Sequence, residues 1–301
     1  MIPLVRQTLL NVSGVPDHLS FLKYSTPDSG RSLTDKLVLM GFQPSAALPS
    51  VVIKTVRHYA AKQNIVRGFD NLKCLHALTK GSAFEGLFAK PLHLYDDGEC
   101  VFSAETACTG ERVRLTHESL ERLVKQFSEF QAHAAELPLR GLHELSILIL
   151  RDCGVSSEGK GELLRFFDSL PPSSLKLPRV LQLGDLTEDN VLMSDESFQI
   201  VDYDRVGEID LPGFDLMGLL YRFDTKDVRR LCEKYLPAYL EKIGAEGRGL
   251  DRLMFLYYVA ERTVRKPYRQ GVSAEDIISG FSKLFQRSRP FIVQTDPSSS
   301  A

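Results

Sequence analysis

The sequence predicts an α+β protein, in which a small N-terminal antiparallel β lobe with one helix precedes a larger, mostly helical C-terminal lobe. Three observations carry this reading. Short β-branched runs bounded by turn residues fill the first third of the chain. Apolar residues at helical spacing dominate after Gly110. A compact acidic pattern, broken by two short apolar runs, lies between Leu183 and Asp204.

Taken in order, His18–Ser25 is a short strand, followed by the turn-rich Thr26–Ser32 with Pro27, Asp28 and Gly30. Leu33–Phe42 is the next strand, and Pro44–Pro49 is the hairpin connection to Val51–Thr55. Asn64–Leu78 is a helix, with Phe69, Leu72, Leu75 and Leu78 at its apolar positions. Pro91–Tyr95 and Glu99–Ala104 flank Asp96-Asp97-Gly98, a tight-hairpin signal. Thr116–Ala134, Gly141–Asp152 and Lys160–Leu170 are helices, and Pro171–Pro178 is a Pro/Ser-rich connection. Asn190–Met193 and Phe198–Val201 form a small hairpin. Lys226–Ile243, Gly249–Thr263 and Ala274–Arg287 complete the helical part. The expected division is residues 1–107, residues 108–295 and a disordered tail at 296–301.

Composition narrows the function. With 37 Lys and Arg against 39 Asp and Glu in 301 residues, the chain lacks the basic excess of a general nucleic-acid or anionic-membrane binder. The odd count of five cysteines without a C-x-x-C pair gives no zinc or dithiol pattern, and implies reduced thiols. Arg6 interrupts the apolar N-terminus, which does not read as a signal peptide. No apolar run approaches the ~18 residues that span a bilayer, so a cytoplasmic protein is the expectation.

The informative stretch is Leu183-Gly-Asp185-Leu-Thr-Glu-Asp-Asn190, followed by Val201-Asp202-Tyr203-Asp204 at the end of the hairpin. Phosphoryl transfer needs such a set: one carboxylate to orient a hydroxyl and take its proton, an amide oxygen and second carboxylate for Mg²⁺, and a lysine for the phosphates. Alone, Asp185, Thr187 and Asp189 would read as turn and cap residues. Asp204 lies two residues beyond Asp202. Arg205 could meet an anionic substrate or pair with Glu208 or Asp210.

These residues resemble the aminoglycoside phosphotransferase and choline kinase superfamily, whose members have a protein-kinase-like bilobal fold and phosphorylate small molecules. The pattern H-G-D-x-x-x-x-N is matched by Leu183-Gly184-Asp185 to Asn190, and the strand-end I-D-[FW]-[DE] by Val201-Asp202-Tyr203-Asp204. The D-P-x-x-D-L element is matched by Asp210-Leu-Pro-Gly-Phe-Asp215-Leu216, with one extra residue. By resemblance, Asp185 is the catalytic base, Asn190 and Asp202 bind Mg²⁺, and Asp215 braces the catalytic loop. Lys54, on the third strand, is the phosphate-contacting lysine. Phe102–Gly110, with Glu105 and Ala107, resembles the adenine-meeting hinge, and Ser32 lies where a phosphate-covering loop belongs.

The chain departs from the pattern at three places: Leu183 replaces the histidine, Ser29–Ser32 is not glycine-rich, and the helix glutamate that pairs with the lysine is missing. Asn71 falls at that glutamate's position, and neighbouring Asp70 is the expected substitute partner for Lys54.

The resemblance implies an ATP- and Mg²⁺-dependent kinase acting on a hydroxyl of a sugar, amino alcohol or aminoglycoside. Asp202–Arg205 is also similar to the matching stretch of lipopolysaccharide sugar kinases. The acceptor side would be lined by Tyr221, Arg222, Asp224, Tyr257 and Tyr258. Two alternatives stand beside it. One is a non-catalytic binding protein on the same fold, motivated by the three departures. The other is a phosphate-loop NTPase using Lys160, because Gly154–Gly161 approaches G-x-x-x-x-G-K-[ST]. Against the latter, Gly161 lacks the metal-binding hydroxyl and Glu158 would face the phosphates.

Overall fold

A computed structural model describes residues 1–24, 36–112, 114–194, 197–263 and 272–285. The chain opens with helix α1 (Ile2–Leu9), which has Pro3 in its first turn, where a missing N–H leaves no bond unmade. Strands β1 (Ser20–Tyr24), β2 (Lys36–Phe42) and β3 (Val51–Val56) precede helix α2 (Lys62–Thr79). Strands β4 (Pro91–Asp96) and β5 (Val101–Thr106) close around Asp96–Gly98. There Asp96 and Asp97 accept the backbone N–H groups of Gly98, Glu99 and Cys100.

Helix α3 (His117–His133), strand β6 (Ala135–Gly141), helices α4 (Leu142–Asp152) and α5 (Ser157–Ser169), and strand β7 (Lys176–Val180) come next. The short hairpin of β8 (Val191–Met193) and β9 (Phe198–Ile200) then leads to α6 (Phe214–Phe223), α7 (Val228–Lys242), α8 (Asp251–Thr263) and α9 (Ala274–Phe285).

The expected α+β class holds. The first five strands form one antiparallel sheet in the order β1-β2-β3-β5-β4. Strand alternation gives this sheet two unlike faces. Leu39, Val51, Ile53, Phe102 and Ala104 face one side and form a core with Val5 and Leu9 of α1. Each Val, Leu, Ile or Phe side chain in this core contributes about 1.5–3 kcal/mol by its burial. The register pairs Val38 with Lys54 and Lys54 with Ser103, so Lys36, Lys54, Ser103 and Glu105 share the other face.

Elements α1, β6, β7 and α6 were not anticipated. Pro178 falls in the expected Pro/Ser-rich connection, but β7, which contains it, and β6, which contains Pro138, form an isolated two-stranded ribbon whose edges tolerate proline.

Contacts divide the chain into two compact units, residues 1–123 with 183–208, and residues 124–182 with 209–301. The division therefore differs from the expected single break after residue 107. Backbone bonds explain why residues 183–208 cluster with the sheet. Ile200 N–H donates to the Leu87 carbonyl (2.8 Å), and Glu111 and Met193 exchange two bonds of 2.8 Å each. The Gln199 side chain accepts from Thr109 N–H (2.7 Å) and donates to the Gly86 carbonyl (3.1 Å).

The second unit is helical with the β6–β7 ribbon. Phe166, Phe255, Phe281 and Phe285 form its aromatic core. Tyr257 and Tyr258 are buried in it, Tyr257 against Phe214 and Tyr221, and Tyr258 against Phe281 and Phe285. They are packing residues, which corrects their expected place on an acceptor surface.

The phosphate-loop alternative also fails. Ser156 caps α5 by accepting from Gly159 N–H, so Gly159, Lys160 and Gly161 lie inside the helix. Lys160 donates to the Arg151 carbonyl (2.8 Å), and helix α4 rather than a strand precedes the segment. The expected tail at 296–301 lies outside the described residues.

Candidate active site

The first unit holds the site. Lys54 on β3 extends from the polar face of the sheet to Glu105 on β5, with Nζ–Oε1 at 2.8 Å and side chains only 16% and 7% exposed. The two are diagonal neighbours across adjacent antiparallel strands, a distance that long side chains bridge. Lys54 Nζ also sits 4.9 Å from the centre of the Tyr203 ring. Burial alone would pull the Lys54 ammonium down. The charges of Glu105, Asp202 and Asp204 outweigh it and hold the ammonium above its ordinary value.

Asp70 is therefore not the partner of Lys54. It is exposed and pairs with Lys73 at 3.5 Å. The buried face of α2 is Ile65, Leu72, Leu75 and Thr79, and Asp70 is rotated away from it. Asn71 does face inward. Its Nδ2 donates to the Tyr203 carbonyl (2.7 Å) and to the Asp204 carbonyl (3.4 Å). A neutral amide here ties α2 to the Val201–Asp204 segment by hydrogen bonds, and the counter-charge of the lysine comes from strand β5.

That segment is shaped by three features. Strand β9 ends at Ile200, and Asp202 has φ +69°, a left-handed conformation that a non-glycine residue adopts at a cost. Tyr203, 1% exposed, donates its hydroxyl to the Ile200 carbonyl (2.7 Å) and accepts from Ala89 N–H (3.2 Å). Burial, aided by the Glu105 charge, pushes this hydroxyl well above the ordinary tyrosine value. Gly68 of α2 then makes room for Asp204, because a Cβ there would lie 2.7 Å from Asp204 Oδ1.

Asp202 and Asp204 stand two residues apart beyond the end of β9, with buried Tyr203 between them. Both face Lys36, the first residue of β2. Its ammonium is 3.5 Å from Asp202 Oδ1 and in direct contact with Asp204 Oδ2. Partial burial pushes the Asp202 carboxyl up, but Lys36 and Lys54 outweigh it and hold the group below the usual range. Burial and the adjacent Asp202 charge push Asp204 above it, against the same two lysines. A cavity of about 10 Å³, room for about one water, is lined by Lys36, Lys54, Ser103, Glu105, Tyr203 and Asp204.

The 183–190 loop lies in the same unit. Gly184 has φ +80°, and a Cβ on it would lie 2.5 Å from the Arg205 carbonyl oxygen, so no other residue fits without movement. Asn190 donates its Nδ2 to the Asp185 carbonyl (2.9 Å), and Val201 N–H donates to the Asn190 carbonyl (2.9 Å). One asparagine thus ties the Asp185 loop to the Asp202 segment, while its amide oxygen is not committed by that bond. Arg205 pairs with Glu208 (2.7 Å).

Among the described residues, no three His, Cys, Asp or Glu side chains converge as a metal site. Asn190, Asp202 and Asp204 carry hard oxygen atoms of the kind that a magnesium ion takes as ligands.

Glu105, expected in the hinge, uses its side chain for Lys54. Ala107 N–H is engaged by the Ser50 carbonyl (3.0 Å) as the chain leaves β5. Asp215 belongs to the second unit. It is 2% exposed in the first turn of α6, and its N–H donates to Gln182 Oε1 (3.1 Å). Ser32 lies outside the described residues. Sequence reasoning missed Lys36 and the pairing role of Glu105. The available signal was strand register, which puts every second residue of β2, β3 and β5 on one face.

The family model of the phosphotransferase enzyme family matches residues 86–256, more than half of the chain. The chain belongs to that family. This phosphotransferase has no match among the curated proteins. Solved structures similar to it include a spectinomycin phosphotransferase in complex with ADP and spectinomycin. It is 15% identical, with 96% of this chain and 94% of that chain covered and a TM-score of 0.49. An aminoglycoside phosphotransferase from Streptomyces rimosus is 15% identical over 79% of this chain and 91% of that one, with a TM-score of 0.47. A choline/ethanolamine kinase family protein from Mesorhizobium loti is 15% identical over 93% and 92%, with a TM-score of 0.40. No helix among the described residues of the phosphotransferase is long and apolar enough to cross a membrane.

Proposed function

We propose that this phosphotransferase moves the γ-phosphoryl group of ATP to a hydroxyl of a small molecule, with Mg²⁺ bound. The observation that carries the reading is the polar sheet face, where Lys54 is held by Glu105 opposite the Asp202–Asp204 segment. A buried lysine kept charged by three neighbouring carboxylates is suited to phosphate oxygens. Asp185 would take the proton of the acceptor hydroxyl as its oxygen bonds to the γ-phosphorus. The bond from that phosphorus to the bridging oxygen then breaks and ADP leaves. Asn190 and Asp202 would hold the metal, which supplies neutralisation of phosphate charge when bound. Asp215 would act as structural support. The chain leaving β5 at Glu105–Ala107 would border the base of the nucleotide. The substrate class includes sugars, amino alcohols and aminoglycosides, and the cytoplasm is the expected compartment.

The test is a metabolite-library screen that couples ADP release to substrate identity, run with Asp185→Ala beside the unaltered chain. Asp185→Ala should lower turnover by about 10²–10⁴-fold and leave Mg-nucleotide binding intact. Retention of turnover on an identified substrate would remove Asp185 from the chemistry. A protein that binds no nucleotide in calorimetry would support the non-catalytic alternative instead.

A further inference from the structure

We infer that Lys36 is a built-in counter-cation of the metal site, which an incoming divalent ion must displace and which then turns to the phosphates. The inference rests on the kinase reading above, but its test separates the two. The observation is that Lys36 bridges both carboxylates of the Val201–Asp204 segment, and its side chain is only 17% exposed.

The charge pattern makes this more than a surface pair. Lys54 is matched by Glu105, so that pair is neutral. Lys36 with Asp202 and Asp204 leaves one net negative charge. A bare divalent ion would overfill this deficit and face the Lys36 ammonium at close range. Like charges a few ångströms apart in a partly buried site oppose each other strongly. A metal ion that arrives with a nucleotide brings several negative phosphate charges, and these accept the displaced ammonium. Lys36 therefore disfavours metal alone and favours metal with nucleotide, which would couple the two binding events. Neither the 183–190 loop nor the Lys54–Glu105 pair can supply this, since neither places a cation between Asp202 and Asp204.

The test uses the full chain and Mn²⁺ alone as probe, read by electron paramagnetic resonance and calorimetry, followed by Mn²⁺ with ATP. Lys36→Met should bind Mn²⁺ about ten-fold or more tightly than the unaltered chain, a change of at least ~1.4 kcal/mol. Lys36→Arg should stay near the unaltered value, because it keeps the charge. In the presence of ATP the advantage of Lys36→Met should vanish or reverse. Equal or weaker Mn²⁺ binding by Lys36→Met overturns the inference, as does an absence of Mn²⁺ binding in every variant. Lys36→Gln provides a second neutral variant should Lys36→Met fail to fold. If Mn²⁺ binding tightens but ATP never binds, the displacement stands and the kinase reading falls. If ATP binds with metal yet Lys36→Met changes nothing, only the displacement falls.

Discussion

Replacing Glu105 by glutamine keeps the shape of the side chain and removes its charge, which isolates what the Lys54 pair contributes. At 2.8 Å, and with an effective dielectric of about 20, the bare attraction is about 6 kcal/mol. Much of that is offset by the cost of taking both groups out of water, and breaking a buried pair from one side typically costs about 3–5 kcal/mol. Lys54 would retain the charges of Asp202 and Asp204 and the face of Tyr203. The expected loss for Glu105→Gln is therefore at the low end, about 3 kcal/mol. Urea denaturation of the unaltered chain, Glu105→Gln and Asp70→Asn decides the matter. Asp70 is exposed and pairs with Lys73, so Asp70→Asn should stay within about 0.5 kcal/mol. The double variant Lys54→Met/Glu105→Gln should be less unstable than the sum of the singles, because each removes the same interaction. If Glu105→Gln matched the unaltered chain while Asp70→Asn were destabilised by 2 kcal/mol or so, the assignment of the lysine's partner would be refuted.

Two further outcomes follow from local geometry. Gly184→Ala forces a Cβ against the Arg205 carbonyl at a residue with positive φ. It should cost about 1–3 kcal/mol, visible in thermal denaturation, and should lower turnover by displacing Asp185. An unchanged melting temperature would contradict the described loop. Burial and the Glu105 charge push the Cys108 thiol up to about 11. At pH 8 about a thousandth of it is thiolate, so iodoacetamide should label exposed Cys74 first. The Cys108 rate should rise about ten-fold per pH unit until near 11, and rapid labelling of this half-buried thiol at pH 8, followed by peptide mass spectrometry, would contradict its raised value.

Local pattern reached a long way in this chain. The β-branched run Val51–Thr55, the Asp96–Gly98 turn and the amphipathic stretch behind α2 are all visible in neighbouring residues. The family resemblance singled out Asp185, Asn190 and Asp202, which are close enough in sequence for a loop and a short hairpin to join them without help from distant residues. The α+β class and the phosphotransferase family were legible for the same reason.

Tertiary structure decided what depends on contacts between segments far apart in sequence. Which carboxylate meets Lys54 rests on the order of strands in the sheet, where β5 lies beside β3 and puts Glu105 within reach. The adjacent helix turns Asp70 to the outside and Asn71 to the inside, a difference of one residue that helical periodicity makes decisive. Lys36 meets Asp202 and Asp204 only because the chain closes a gap of more than 160 residues. Hydrophobic patterning specifies which face of an element is buried, but it carries no information about which polar groups converge across that face. That pairing is settled when the faces pack.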